Sequence, residues 1–350
     1  MEIRPIKKSE WPKLLAFNED EYRPGHIMTN KTYYDWQFDN FTNQNKENYS
    51  SLGLFGKSGE LLGTFGMFQA PCHFFGKTIM GNCLANLIVR KDLRSLGYGY
   101  LLLEEASSSH ELNIDHTINQ AAWPMFMKAG WQGENLKRHL YIIKPKNNLY
   151  ELPVSSERKV IKDGWHFDLV NDFGEEINVF WRRIKHRYPI TVERSADYLN
   201  WRYAHNPLVK YSMFLAKSGE EIKALVVLRM EDLEGENGIL GIKAGRIIDF
   251  VSDEEAEDFA LDTTVEYCRE NDVDFLDYFS SGNFHARALK KVGFVDGDSA
   301  PYADLPILFH PISKKRTHLN FAVKISNLEL PTPNLNDWYT TKGGGDQDRP

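Results

Sequence analysis

The stretch LIVRKDLRSLGYG, residues 87–99, joins an apolar run to a loop carrying two glycines, Gly97 and Gly99. Three cations, Arg90, Lys91 and Arg94, stand there against one acid, Asp92. Its first three residues complete the apolar LANLIV of residues 84–89, which reads as a strand. A helix is expected from about Gly97, with Leu101, Leu102, Ala106 and Leu112 as its more apolar positions. A helix start offers unpaired N–H groups and the positive end of the helix dipole, so it can hold an anion. Glycine lets a diphosphate approach those groups, but glycine also serves tight turns and close packing. Taken by itself, the pattern fits either use.

A second copy of the pattern decides between them. YYDWQF at 33–38 is matched by YLNWRY at 198–203, LFGKSGELL at 54–62 by FLAKSGEEI at 214–222, and MKAGW at 127–131 by KKVGF at 290–294. The offsets are 165, 160 and 163 residues, in one order, a period too long for a solenoid. The chain therefore reads as two related domains in tandem, each with a hairpin turning at KSG, where Gly59 or Gly219 suits a positive φ. The expected extents are 1–150 for the first domain, 151–327 for the second and 328–350 for a C-terminal tail. Aligning Val89 with Val251 lays the loop over VSDEEAEDFAL, which holds five carboxylates and no glycine. The scaffold is repeated while the anion chemistry is not. The first loop reads as an anion cradle.

Composition narrows the remaining choices. At 350 residues and 42% hydrophobic, the chain has material for two cores. A net charge of −7 argues against a general nucleic-acid binder. Cys72, Cys83 and Cys268 lack metal-ligand spacing and read as reduced thiols of a cytoplasmic protein. No apolar run approaches the roughly 18 residues of a membrane helix, and MEIRPIKKSEWPKLL at the N-terminus has no signal-peptide core. The expectation is a monomer or homodimer with no metal, no nucleic-acid partner and no membrane insertion.

LIVRKDLRSLGYG resembles the acyl-CoA signature of the GCN5-related N-acetyltransferases, an Arg/Gln-x-x-Gly-x-Gly/Ala loop after a strand. NQAAWPMFMKAGW, residues 119–131, is similar to that family's later strand end and helix, which closes in a Gly-aromatic pair. The resemblance implies an α/β (α+β) chain of two tandem domains. Each is a mixed, mostly antiparallel sheet flanked by helices, with splayed central parallel strands. It implies acyl-CoA as co-substrate, with no permanently bound cofactor. The main chain of Leu87, Ile88 and Val89 would hold the pantetheine arm, the loop Arg94, Ser95, Leu96, Gly97, Tyr98 and Gly99 the diphosphate, and Asn119 would reach the pantetheine from the later strand.

The tandem arrangement, the WRY of residues 201–203 and the tail WYTTKGGGDQDRP of residues 338–350 resemble bacterial sugar N-acyltransferases. These act on nucleotide-linked amino sugars for surface polysaccharides. Such an acceptor points to Trp201, Arg202, Tyr203 and His205 for base, ribose and diphosphate, and to Glu21 in the early helices that wall the acceptor pocket. Two catalytic parts of the family pattern are missing. Phe126 stands where a tyrosine often protonates the leaving thiolate, and Asn86 where a glutamate often serves as base; an amide can orient but not take a proton. His73, His110, His116 and His139 read as surface or structural histidines, Cys83 as a small buried filler, and Trp36 as a core or interdomain anchor. Two competing readings keep the scaffold but change its use: an aminoacyl transferase of the cell-wall peptide kind, and a non-catalytic CoA sensor.

Overall fold

The computed structural model describes the chain apart from residues 23, 41, 109, 144–151, 157–158, 234–240, 304, 308–317, 327–328, 332 and 346–350. The expected boundaries at residues 150 and 327 lie outside the described residues.

In the first half the order is β1 (Glu2–Lys7), α1 (Trp11–Glu21), α2 (Lys31–Phe38), β2 (Asn48–Phe55), β3 (Leu61–Phe74), β4 (Lys77–Val89), α3 (Tyr98–Ser108), β5 (Leu112–Ile118), α4 (Trp123–Lys128), β6 (Gln132–Asn135) and β7 (Lys137–Ile142). The second half follows the same plan. It runs β8 (Trp165–Val170), α5 (Glu175–Ile184), β9 (Ile190–Val192), α6 (Ala196–Leu199), β10 (Ser212–Ser218), β11 (Glu221–Asp232), β12 (Lys243–Ser252), α7 (Glu257–Glu270), β13 (Phe275–Ser280), α8 (Ala286–Val292), β14 (Val295–Asp296) and β15 (Asn320–Ile325).

Local chemistry accounts for several of these boundaries. The Asn30 side chain accepts from Tyr33 N at 3.1 Å and so caps α2. Both KSG hairpins turn at a left-handed glycine, Gly59 at φ +79° and Gly219 at φ +58°. Helix α3 buries Leu102, Leu103 and Ala106, but Leu101 is 50% exposed. The expected fourth apolar position, Leu112, lies instead on β5. The helix stops short of it because Asn113 Nδ2 donates to the carbonyls of Ser107 and His110, each at 3.0 Å, satisfying the last turn.

The strands form two sheets. One has the order β1-β2-β3-β4-β5-β15-β6, with β9 added beside β3, and the other has the order β14-β7-β13-β12-β11-β10-β8. Among the described strand pairs, β4·β5 and β12·β13 are the parallel ones. The halves exchange strands, which the repeat did not disclose. Residues 137–142, placed with the first half, sit between β13 and β14 of the second sheet, while residues 320–325 sit between β5 and β6 of the first. Each half leaves the same slot between its last two strands, and an unpaired strand edge demands a partner. The other half's terminal strand supplies it.

Between the sheets lies a core rich in aromatics, including Phe68, Trp181, Tyr188, Trp201, Phe279, Trp338 and Tyr339. The segment expected to be a separate tail contributes to it directly. Trp338, Tyr339, Thr340, Thr341 and Lys342 are all buried.

Candidate active site

Strands β4 and β5 pair in parallel from Gly81–Leu112 to Leu84–Asp115 and then part. Just past that point β4 slips by one residue against β3, with Ala85 opposite Gly66 and Ile88 opposite Thr64. Asn86 sits in this bulge at φ +62°, a region that asparagine tolerates better than most residues. The main-chain edge of β4 that faces β5 is thereby left without a ladder partner over its last residues. It borders a groove of about 1120 Å³ lined by Leu87, Ile88 and Val89.

The mouth of the groove is the opening loop. Ser95 and Gly97 are left-handed, at φ +72° and +88°. A Cβ at Gly97 would meet nothing within 4 Å, so this glycine serves the backbone turn and keeps the approach open. Gly99 serves packing instead. A Cβ there would stand 3.4 Å from Met125 Sδ and 3.9 Å from Val89 Cγ2, ordinary helix–strand contact. Arg94 donates from Nε to Val89 O at 2.9 Å and from its terminal nitrogen to Glu21 at 3.2 Å. Glu21 also accepts from the Lys91 amide at 3.0 Å. The expected acceptor-wall residue is therefore a brace for the loop. Its side chain is 6% exposed and is directed toward Arg94.

Asn119 faces the groove from the far side, and its Oδ1 accepts from Ala122 N at 2.9 Å, which fixes the start of α4. Of the residues expected to hold donor, Leu87, Ile88, Val89, Arg94, Ser95, Leu96, Gly97, Gly99 and Asn119 line one groove. Tyr98 does not; it packs on the core beneath α3. Asn86 shapes the strand without lining the groove. Tyr22, Tyr100, Met125 and Lys128 also line it and were not foreseen. Met125 and Lys128 are three residues apart on one face of α4, so helical spacing within the quoted MFMKAGW carried that signal. Phe126 points the other way: it is 1% exposed and meets Trp131 edge-on at 5.0 Å.

The sister position is built and then closed. Strands β12 and β13 pair in parallel from Ala244–Phe275 to Ile247–Tyr278 and part as their counterparts do. The C-terminal segment fills the opening. Tyr339 Oη donates to the carbonyl of Phe250 and lies 2.7 Å from Tyr278 Oη. Ser281 N donates to Thr340 O at 3.0 Å, and Thr340 N to Ser281 Oγ at 2.9 Å. Where the first half has its glycine loop, Glu257 accepts from Arg187 at 2.7 Å and lies 2.9 Å from His285 Nδ1. Burial opposes the charge on Glu257, but His285 and Arg187 hold its carboxyl below the ordinary range. The hollow that remains is about 370 Å³ and mixes Lys162, Arg187, Arg287 and Lys291 with Glu254, Glu255, Glu257 and Asp258. A diphosphate would meet four carboxylates there, against as many cations, rather than a surplus of positive charge.

The expected nucleotide contacts are not assembled as a site. Trp201, Arg202 and Tyr203 are buried, and His205 alone of the four is exposed. Arg202 donates to Gly343 O at 3.0 Å and Gly345 O at 2.5 Å, and Tyr203 Oη to Asp249 at 3.2 Å. The C-terminal carbonyls and a buried carboxylate take the contacts intended for a ligand. Burial pushes the Cys83 thiol well above its ordinary value and Cys72 up to about 12, so neither offers a thiolate. His110 pairs with Gln69 at 3.0 Å. Among the described residues no group of three or more His, Cys, Asp or Glu could hold a metal, and no helix is long and apolar enough to cross a membrane.

No family model and no curated protein matches the chain. Solved structures do. A GCN5-related N-acetyltransferase from Anabaena variabilis superposes with a TM-score of 0.56 at 10% identity, over 93% of this chain and 73% of that one. The N-myristoyltransferase of Saccharomyces cerevisiae with bound myristoyl-CoA gives 0.56 at 12% identity, over 98% of this chain and 88% of that one. A conserved protein of unknown function from Enterococcus faecalis gives 0.58 at 12% identity, over 94% and 73%. The fold is that of tandem GCN5-related N-acetyltransferase domains. At these identities the likeness is one of fold. Within that acetyltransferase fold, the open splay and glycine loop of the first half occupy one copy, and the plugged splay the other.

Proposed function

We propose that the chain is an acyl-CoA-dependent N-acyltransferase with a single donor site, in the first half. The observation that carries this reading is the groove between the parted ends of β4 and β5, which runs from the unpaired edge at Leu87–Val89 to the loop at Arg94–Gly99. Its shape and its polar main-chain edge suit a pantetheine arm, and its mouth suits a diphosphate. The same elements in the second half are filled, so one copy binds donor and the other is scaffold.

The reaction follows from the residues present. A neutral amine attacks the thioester carbon directly, and the bulge at Asn86 frees main-chain N–H groups near the carbonyl oxygen that gains charge. No residue is required as an acyl carrier, and Cys83 and Cys72, buried and neutral, are poor nucleophiles for that role. Arg94 and the first turn of α3 offset the charge of the diphosphate, while Glu21 holds the loop in register.

For the acceptor we propose the amine of a nucleotide-linked amino sugar, with the product used in surface polysaccharide synthesis. The support is the resemblance in tandem arrangement and in the WRY and tail segments. The burial of Arg202 removes one of the diphosphate contacts first assigned, so the nucleotide would meet other residues. A peptide amino terminus is the competing acceptor, since the myristoyltransferase with bound myristoyl-CoA shares the fold over 98% of this chain. Mass spectrometry of products from a panel of nucleotide amino sugars and short peptides, mixed with acetyl-, 3-hydroxybutanoyl- and myristoyl-CoA, tests both readings. Acylated sugar nucleotide is the expected product. Acylated peptide, or no thioester turnover with any amine, contradicts it.

A further inference from the structure

Two charged side chains, Arg94 and Lys128, are among the described residues that line the donor groove, and no carboxylate joins them there. Arg94 already donates to Glu21 and to Val89 O. Lys128 is exposed at the end of α4 and has no carboxylate or carbonyl partner among the described residues. It shares a helix face with Met125, whose Sδ lies 3.4 Å from the Cβ position of Gly99. Helix α4 therefore brings a cation to the side of the glycine loop and leaves it without an anion.

The second half shows what this lysine does when an anion is within reach. The match of MKAGW with KKVGF sets Lys128 on Lys291 and, three residues back, Met125 on Ala288. Both counterparts line the sister hollow. Lys291 Nζ donates to the carboxylate of Asp258, the second residue of α7. Lys162 adds a second cation at 3.5 Å. Burial opposes the charge on Asp258, but Lys291 and Lys162 keep its carboxyl below the ordinary range. One carboxylate thus ties the terminal helix to the start of the helix before it. With Val89 aligned on Val251, Asp258 falls on Leu96, which lines the groove and is 63% exposed. The first half keeps the lysine and puts an exposed apolar side chain where the carboxylate stood.

We propose that Lys128 grips the diphosphate of the donor from α4, in the place that Asp258 holds against Lys291 in the second half. The inference rests on the acyltransferase reading above and adds a side chain from outside the loop to the donor site. The loop meets the anion on one side and the ammonium meets it on the other. A diphosphate carries more charge than one carboxylate, which suits Arg94 and Lys128 acting together. Lysine, a compact charge on a flexible stem, reaches a phosphate without needing a fixed planar geometry.

The experiment is calorimetric titration of CoA and dephospho-CoA into the intact wild-type protein, Lys128→Gln and Lys291→Gln. Dephospho-CoA lacks the 3′-phosphate but keeps the diphosphate. Lys128 is exposed, so its replacement should leave the fold intact. Lys128→Gln should bind both compounds about 3- to 20-fold more weakly, by the same factor for each, as fits a charge at an open mouth. The loss should shrink as salt rises from about 0.05 M to about 1 M, because the ammonium is screened. Lys291→Gln should leave both affinities unchanged. Leu96→Asp should bind CoA more weakly than Leu96→Asn, since its carboxylate copies Asp258 and occupies the lysine. Unchanged CoA affinity in Lys128→Gln, or a loss that salt does not reduce, overturns this inference and leaves the donor site standing. A loss confined to CoA, with dephospho-CoA unaffected, moves the lysine to the 3′-phosphate and overturns it as well. Failure of the wild type to bind CoA overturns the reading beneath it.

Discussion

Trp36 and Trp201 hydrogen-bond each other's main chain: Trp36 Nε1 donates to Trp201 O at 2.8 Å and Trp201 Nε1 to Trp36 O at 2.9 Å. Their rings stack with centroids 5.3 Å apart. These are the matched tryptophans of the repeat, 165 residues apart, so the contact is reciprocal in the way a two-fold interface is. The exchange of β7 and β15 follows the same symmetry. Each half lends its terminal strand to the other and receives one in the same slot.

Replacing either tryptophan by phenylalanine removes one indole donor and its hydrogen bond to the other's carbonyl. Each single change should cost about 1–2 kcal/mol in chemical denaturation. The double variant should cost less than the sum, because both bonds depend on one stacked geometry. Strict additivity would mean that the two indoles act independently.

Phe126 sits in the core against Trp131, away from the groove. Phe126→Tyr should therefore gain no turnover, and its hydroxyl, buried without a partner, should destabilise the fold by about 1–3 kcal/mol. Steady-state kinetics beside thermal unfolding checks this. A rise in kcat at unchanged stability would place the hydroxyl at the leaving sulfur instead.

Glu21 joins α1 to the loop through Arg94 and the Lys91 amide. Glu21→Ala should weaken CoA binding roughly 5- to 30-fold, the effect of losing about 1–2 kcal/mol of charge-assisted hydrogen bonding, while the acceptor KM stays put. An acceptor KM that rises with CoA affinity intact would return Glu21 to the acceptor wall.

The parts of this architecture visible in the sequence are those set by local chemistry. The repeat disclosed two halves, the KSG glycines marked the hairpins, and the Arg94–Gly99 loop beside its acidic counterpart singled out one groove. Strand exchange was hidden because RHLYI, residues 138–142, says that a strand forms but not which edge it will join. The plug was hidden for a related reason: TTKGGG, residues 340–345, reads as a polar tail, yet it fills the sister opening mainly with its main chain. Arg202 looked like a ligand contact because a guanidinium beside Trp201 could meet a nucleotide diphosphate, and only the fold shows the carbonyls that take its hydrogen bonds. Tyr22 and Tyr100 reach the groove from separate elements, a convergence that no local pattern encodes.

The most direct test of the central claim is calorimetric titration of CoA into the wild-type protein and into Gly97→Glu and Glu257→Gln. One donor site in the first half predicts one CoA per chain in the wild type. It predicts loss of binding in Gly97→Glu, whose carboxylate would enter the open space at the loop, and one CoA per chain in Glu257→Gln, because the sister opening stays plugged by Tyr339 and Thr340. Two CoA molecules per wild-type chain, or undiminished binding by a folded Gly97→Glu protein, would contradict it.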